Sequence, residues 1–171
     1  MNPTTEFADK LEPLATWMAD TWLGHFMLGT WAWPWFEVFH FIGMSLLCGS
    51  IIAMDLRLLG FFRKEISLHA VHSLTLWGLL GFIINLTTGI GFIFKGASGY
   101  FHNVSFRFKM YCIILAGINF LVFWFIVRKQ IEPLADDADV GFFAKVVGFS
   151  SLLLWFLVIW GGRMIPVFGD G

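Results

Sequence analysis

The sequence predicts an all-α integral membrane protein, a four-helix bundle with an N-terminal amphipathic interfacial helix. Of the 171 residues, 58% are hydrophobic and only 13% are charged, and the mean hydropathy is +0.76. A soluble domain of this length has no need of so much apolar surface. Four separate apolar runs supply the spans. With neither an internal repeat nor a change in composition, residues 1–171 are expected to form a single membrane domain.

Residues 1–24 predict a helix that lies in the membrane interface. Apolar residues recur there at helical spacing between charged ones, and they are Phe7, Leu11, Leu14, Trp17, Met18 and Trp22. No basic segment precedes an apolar core, so we expect no cleaved signal peptide. Pro13 is expected to break this helix, and Gly24, Gly29 and Pro34 predict a turn region before the first span.

The predicted spans are residues 35–54, 74–94, 110–127 and 146–160. A helix needs roughly 20 apolar residues to cross a bilayer, since each residue adds about 1.5 Å along the axis. The fourth run is therefore short unless flanking residues extend it. Asn85 and Asn119 fall in the middle of their spans, where an unpaired amide is costly. Each is expected to face the bundle with a polar partner, Asn85 across to another helix.

Four spans place both termini on one side of the membrane, and the basic residues indicate which side. The loops 55–73 and 128–145 carry six of them, Arg57, Arg63, Lys64, Arg128, Lys129 and Lys145. The opposite side carries five, Lys10, Lys95, Arg107, Lys109 and Arg163. The positive-inside rule therefore favours cytoplasmic loops and external termini.

The first span carries two ionisable side chains, Glu37 and His40, near its outer end. Because they are three residues apart, they share one helix face. Ionisable groups inside a span are costly and usually functional. Lys109 and Arg163 are predicted on the same side of the membrane as His40. At the inner end of the span, Asp55 and Arg57 are expected to form a structural charge pair.

This arrangement is typical of a haem site. Neutral imidazole is the usual axial ligand of haem iron, so His40 is the candidate metal ligand. Glu37 is expected to hydrogen-bond the other ring nitrogen, and Lys109 and Arg163 are candidates to bind the propionates. The second axial position is left open between His102, His25 and no protein ligand. Aromatic walls are expected from Phe36, Phe39, Phe41 and Trp160.

Other interpretations of these residues stay open. Glu37 and His40 can instead form a hydrogen-bonded pair that offsets the cost of their burial, and the basic side chains can reach lipid headgroups. A di-iron centre would need a second Glu-x-x-His and more carboxylates. Cys48 and Cys112 form no disulfide framework or zinc motif. A transporter would be expected to show repeats and broken helices, and a net charge of −1 gives no argument for nucleic acid.

Seven short motifs follow one another over residues 35–165, namely HFIG, CGS, DLRLLG, GFIINLTTG, F-x-F-K, AGIN and a late GR. With this pattern the chain resembles a family of small uncharacterised bacterial four-span membrane proteins, chiefly through DLRLLG. It is more distantly similar to the four-helix membrane protoporphyrinogen oxidases and the copper-resistance D type membrane domains. The former bind haem b through a first-span histidine, which implies His40 as ligand and Lys109 as the matching third-span lysine. Trp124 stands where such proteins often carry another histidine, which argues against a second histidine-linked site.

We therefore expect a small b-type cytochrome-like protein in a bacterial inner membrane, with one haem near the outer face and periplasmic termini. It would serve electron transfer or a porphyrin-linked oxidation, and the sequence leaves open whether it is an enzyme. The alternative is a cofactor-free structural or lipid-binding subunit or scaffold. In both cases the partners are the lipid bilayer and a membrane complex or further copies of the chain.

Overall fold

The computed structural model describes residues 3–29 and 31–168, which form helices and no strands. In chain order the helices are α1 (Pro3–Ala19), α2 (Trp22–Gly29), α3 (Ala32–Leu59), α4 (Leu68–His102), α5 (Val104–Val122), α6 (Arg128–Ile131) and α7 (Phe142–Met164). A π-helical turn, Phe123–Val127, joins α5 to α6 without a break. Four segments are long and apolar enough to cross a membrane: α3, α4, Val104–Ile131 and α7. The predicted all-α membrane bundle is confirmed.

The spanning helices are longer than predicted, and the expected outer loop at 95–109 is helical. α4 bends at Gly96, which has non-helical angles (φ −156°, ψ 50°), and continues to His102. Asn103 alone separates α4 from α5. Its side chain accepts a hydrogen bond from Phe106 N (3.0 Å), which caps α5, and donates to Ile165 O (2.8 Å). The fourth span, predicted as 146–160, is extended at both ends to 23 residues in α7.

The two N-terminal helices pack against α4, and α1 contacts its C-terminal half. Ser98 Oγ donates to Glu12 Oε2 (3.0 Å) and fixes α1 there. The predictions for Pro13 and Gly24 were wrong, because Pro13 lies inside α1 and Gly24 inside α2. Pro13 is on an exposed face, where the carbonyl that loses its helical donor can still be hydrated. The chain turns instead between the two helices, at residues 20–21.

The helix α3 organises the bundle, since it packs along α4 on one side and against α7 on the other. The closest approach is at Gly81, where an added Cβ atom would lie 2.6 Å from Leu47 N and 2.7 Å from Gly43 O. Small residues permit such contact between membrane helices. α5 packs on α7, whereas α4 and α5 contact each other little. The bundle is therefore less tightly closed between α4 and α5.

The DLRLLG segment ends α3 and ties the inner end together. Gly60 adopts a left-handed conformation (φ 96°), typical of a helix C-terminus. Arg57 is fully buried. Its Nε donates to Ile66 O (2.7 Å) and its Nη2 to the carbonyls of Asp136 (2.8 Å) and Ala138 (3.0 Å). Among the described residues it forms no pair with Asp55, because residues two apart lie on different helix faces; that prediction was wrong.

Both mid-span asparagines face the bundle, as predicted. Asn119 Nδ2 donates to Val147 O (3.2 Å) and links α5 to α7. Asn85 lies against Gly43 of α3, but its amide donates to Gly81 O (3.0 Å) in its own helix. The expected bond from Asn85 to another helix is therefore replaced by a bond within α4.

Candidate functional site

His40 lies one turn outward from Gly43, on the part of α3 that faces α4. Its Nδ1 is 2.7 Å from Thr88 Oγ1. The Thr88 hydroxyl is also 2.8 Å from Ile84 O, to which it donates. A hydroxyl has one hydrogen, so in the tautomer with the proton on His40 Nδ1 the Thr88 hydroxyl accepts from Nδ1–H while it donates to Ile84 O. This tautomer leaves a lone pair on Nε2, which has no hydrogen-bond partner among the residues described.

Aromatic rings line the α3–α4 seam beside this histidine. The Phe92 ring is 5.1 Å from the His40 ring and 4.7 Å from that of Trp33, measured between centroids. Lys95 Nζ lies 3.5 Å from the centre of the Trp33 ring, a cation–π contact. The sequence did not assign Thr88, Phe92 or Trp33 to the site of His40. The one available signal was that Thr88 and Phe92 are four residues apart and so share a helix face.

Glu37 is not the hydrogen-bond partner of His40, contrary to expectation. It is half-buried on α3. Thr88 is the hydrogen-bond partner of His40 in place of Glu37. A spacing of three residues puts two side chains on one helix face. It does not make them hydrogen-bond partners when a neighbouring helix offers a hydroxyl group.

Lys109 is half-buried at the start of α5 and lies against α7. A Cβ atom added at Gly162 would be 3.4 Å from Lys109 Nζ. Within the described part of the chain, Lys109 has neither an ion pair nor a hydrogen bond. Arg163 lies at the same end of the bundle, exposed in the last turn of α7.

The other histidines proposed as axial ligands lie elsewhere. His102 is fourteen residues beyond Thr88 on α4, roughly 20 Å along the helix. Its Nδ1 is 3.0 Å from Ser98 O and its Nε2 is 3.3 Å from Asp9 Oδ1, so both ring nitrogens are engaged. His25 is exposed on α2. The hydrogen bond and the ring contact of His40 are made with Thr88 and Phe92, and neither involves these histidines.

The four predicted aromatic walls divide between the seam and the outer surface. Phe36 packs onto Gly91 within the α3–α4 seam. Phe39 and Phe41 are mostly exposed, and Trp160 meets the edge of Phe108 with centroids 6.0 Å apart. In the described residues no three His, Cys, Asp or Glu side chains come together as a metal cluster. Any metal bound here would depend on His40 as a single protein ligand.

Trp124, where the expected distant resemblance would have a histidine, has partners of its own. Its ring packs on that of Phe120 at 6.0 Å between centroids. The Arg128 guanidinium carbon lies 4.4 Å from its centre. The side chain therefore serves packing at the inner end of the third span.

Comparison with known proteins places the chain among proteins whose activity is not established. The model of a family of unknown function, DUF6644, matches residues 16–168. No curated protein and no solved structure matches the chain. The expected resemblance to an uncharacterised family is confirmed, whereas the two more distant similarities receive no support. Because the match covers nearly the whole sequence, the chain belongs to the DUF6644 family.

Proposed function

We propose that the protein is a small b-type cytochrome-like membrane protein that holds one haem b through His40, in electron transfer or a porphyrin-linked oxidation. The observation that carries the proposal is the His40–Thr88 contact of 2.7 Å. It engages Nδ1 and leaves the lone pair of Nε2 available to iron. Metal-ligating histidines usually donate their other ring N–H in this way, which fixes the ring and its tautomer.

The neighbouring residues fit this cofactor. Phe92 and Trp33 supply an apolar aromatic surface beside the ring, which limits access of water. Lys109 is a cation without an acidic partner among the described residues, so a haem propionate would supply the carboxylate for an ion pair. Arg163 supplies a second cation at the same end. When bound, haem b would supply one-electron redox chemistry. Since His102 and His25 lie apart, the proposal assigns His40 as the only protein ligand.

The alternative is a cofactor-free subunit or scaffold that binds lipid, a membrane complex or further copies of itself. A cluster of outward-facing aromatic side chains favours it, and this cluster consists of Phe26, Trp31, Trp35 and Phe39 around a shallow depression at the outer end. Trp31 is 84% exposed. Aromatic residues at the ends of spans also anchor a protein in lipid, so this cluster is compatible with both functions. The haem experiment decides between them.

The haem proposal is tested by the visible spectrum of protein produced with ample haem, before and after reduction with dithionite. We expect a Soret band in the wild type, its loss in His40→Ala, and partial loss in Lys109→Ala and Arg163→Ala. Thr88→Val should weaken haem retention or shift the reduction potential, since it removes only the acceptor for Nδ1–H. His72→Ala is the control, because His72 is exposed near the inner start of α4. A wild type without a Soret band, or His40→Ala with a full one, would contradict the proposal.

We further propose that the chain lies in a bacterial inner membrane with residues 60–67 and 132–141 in the cytoplasm. These segments share one end of the bundle, since Leu68 N donates to Asp136 O (3.2 Å). The six-to-five excess of basic residues supports this orientation. In a Cys48→Ser, Cys112→Ser background, an impermeant maleimide added to intact cells should label Asp20→Cys. It should label Glu65→Cys and Asp137→Cys only after permeabilisation, and the reverse pattern would show the opposite orientation.

A further inference from the structure

A buried carboxyl group lies in the inner half of the bundle, apart from the His40 site. Asp55 is 1% exposed and lies on the same cavity as Ser151 of α7. Its Oδ2 is buried without a hydrogen-bond partner in the described part of the chain. No basic side chain there is paired with it, since the Arg57 guanidinium is bound to loop carbonyls. A carboxylate buried in this way is costly unless something compensates its charge.

The carboxyl group borders a cavity of about 200 Å³ between α3, α4, α5 and α7. The walls are mainly apolar, and Phe82, Phe120, Phe123 and Trp155 are among them. The polar neighbours have partners of their own: Thr75 donates to Val71 O (2.7 Å) and Asn119 to Val147 O (3.2 Å). Asp55 is thus the cavity residue whose carboxyl group still lacks a partner among the described residues, at Oδ2.

The walls also show how far the cavity extends and where it can be reached. The Phe82 and Trp155 rings meet edge to face, with centroids 6.5 Å apart, across the middle of the bundle. Leu79 of α4 and Gly117 of α5 line the side where these two helices contact each other little. This side of the bundle is therefore where a molecule dissolved in the bilayer would enter the cavity.

We propose that this cavity binds a small organic amine, whose ammonium donates to the Asp55 carboxylate and whose apolar part fills the space. The size fits one aromatic ring, since a dry cavity of about 150 Å³ in another protein accepts benzene. An ammonium compensates the carboxylate through a charge-assisted hydrogen bond, and the aromatic walls favour a cation as well. The proposal does not depend on a haem at His40.

The test uses the purified full chain in detergent, with benzylamine as the probe and benzyl alcohol and toluene as neutral molecules of similar size. Calorimetric titration should show benzylamine binding more tightly than either. Asp55→Asn should weaken benzylamine binding about 10- to 100-fold, as expected for loss of a charged hydrogen bond. Equal binding of the neutral probes, or unchanged binding by Asp55→Asn, would overturn the proposal.

A second pair of variants keeps the test valid if Asp55→Asn does not fold. Gly117 lines the cavity and Gly49 does not. A Cβ atom added at either position would meet nothing within 4 Å. Gly117→Leu should fill the cavity and abolish benzylamine binding, whereas Gly49→Leu should leave it unchanged. Binding retained by Gly117→Leu, or lost equally in both variants, would exclude this cavity as the site.

Discussion

Arg57→Met is expected to destabilise the protein by roughly 3 kcal/mol or more, because hydrogen bonds from a charged donor contribute about 1.5–3 kcal/mol each. The guanidinium is fully buried and joins α3 to two loops through the carbonyls of Ile66, Asp136 and Ala138. Methionine has a similar length but no donor, so these carbonyls lose their bonds. The measurement is the free energy of unfolding in mixed micelles, titrated with a denaturing detergent.

Two further variants separate this role from charge alone. Arg57→Lys keeps the charge but cannot reproduce the fork of donors, so an intermediate loss is expected. Arg63→Met is the matched control, since Arg63 is exposed and its ion pair with Asp139 spans 3.7 Å. Such a surface pair contributes about 0–1 kcal/mol. Equal stability of Arg57→Met and Arg63→Met would contradict the assigned role.

The fold class could be predicted from the sequence because a membrane span is a local property of composition. The ends of the helices could not be predicted in this way. The polar residues at 95–109 are compatible with a loop and also with a helix that projects beyond the apolar layer. Hydropathy detects only the apolar segment. The helix α4 itself continues to His102, and the next residue, Asn103, begins α5 by capping it with its side chain.

The candidate site was predicted only in part, because its contacts depend on the register between helices. His40 could be chosen as an ionisable residue in a span, but its partner Thr88 is 48 residues away. Arg57 was assigned to Asp55, two residues before it. Its real acceptors include a carbonyl 79 residues further along the chain. Spacing along one helix identifies a shared face, but it cannot identify what a second helix places against that face.

Gly81→Ala is expected to cost about 1–3 kcal/mol, the usual range for overpacking a close contact, and Gly81→Leu should cost more. The added atom would meet Leu47 N at 2.6 Å and Gly43 O at 2.7 Å. Backbone atoms cannot turn away as a side chain can, so α3 and α4 must separate. Elsewhere in a helix the same substitution stabilises by roughly 0.5–1 kcal/mol. The sign of the effect on unfolding free energy therefore tests the packing.

Gly49→Ala is the matched control, since nothing lies within 4 Å of the added atom there. Gly43→Ala should fall between the two, because it meets the Asn85 and Ile84 side chains, which can shift. A Gly81→Ala variant as stable as Gly49→Ala would show that the helices do not pack through Gly81.

The separation of α3 and α4 should also affect the candidate site. His40 is one turn from Gly43, and its bond to Thr88 crosses the same seam at 2.7 Å. Gly81→Leu should therefore weaken haem retention without altering any residue at His40.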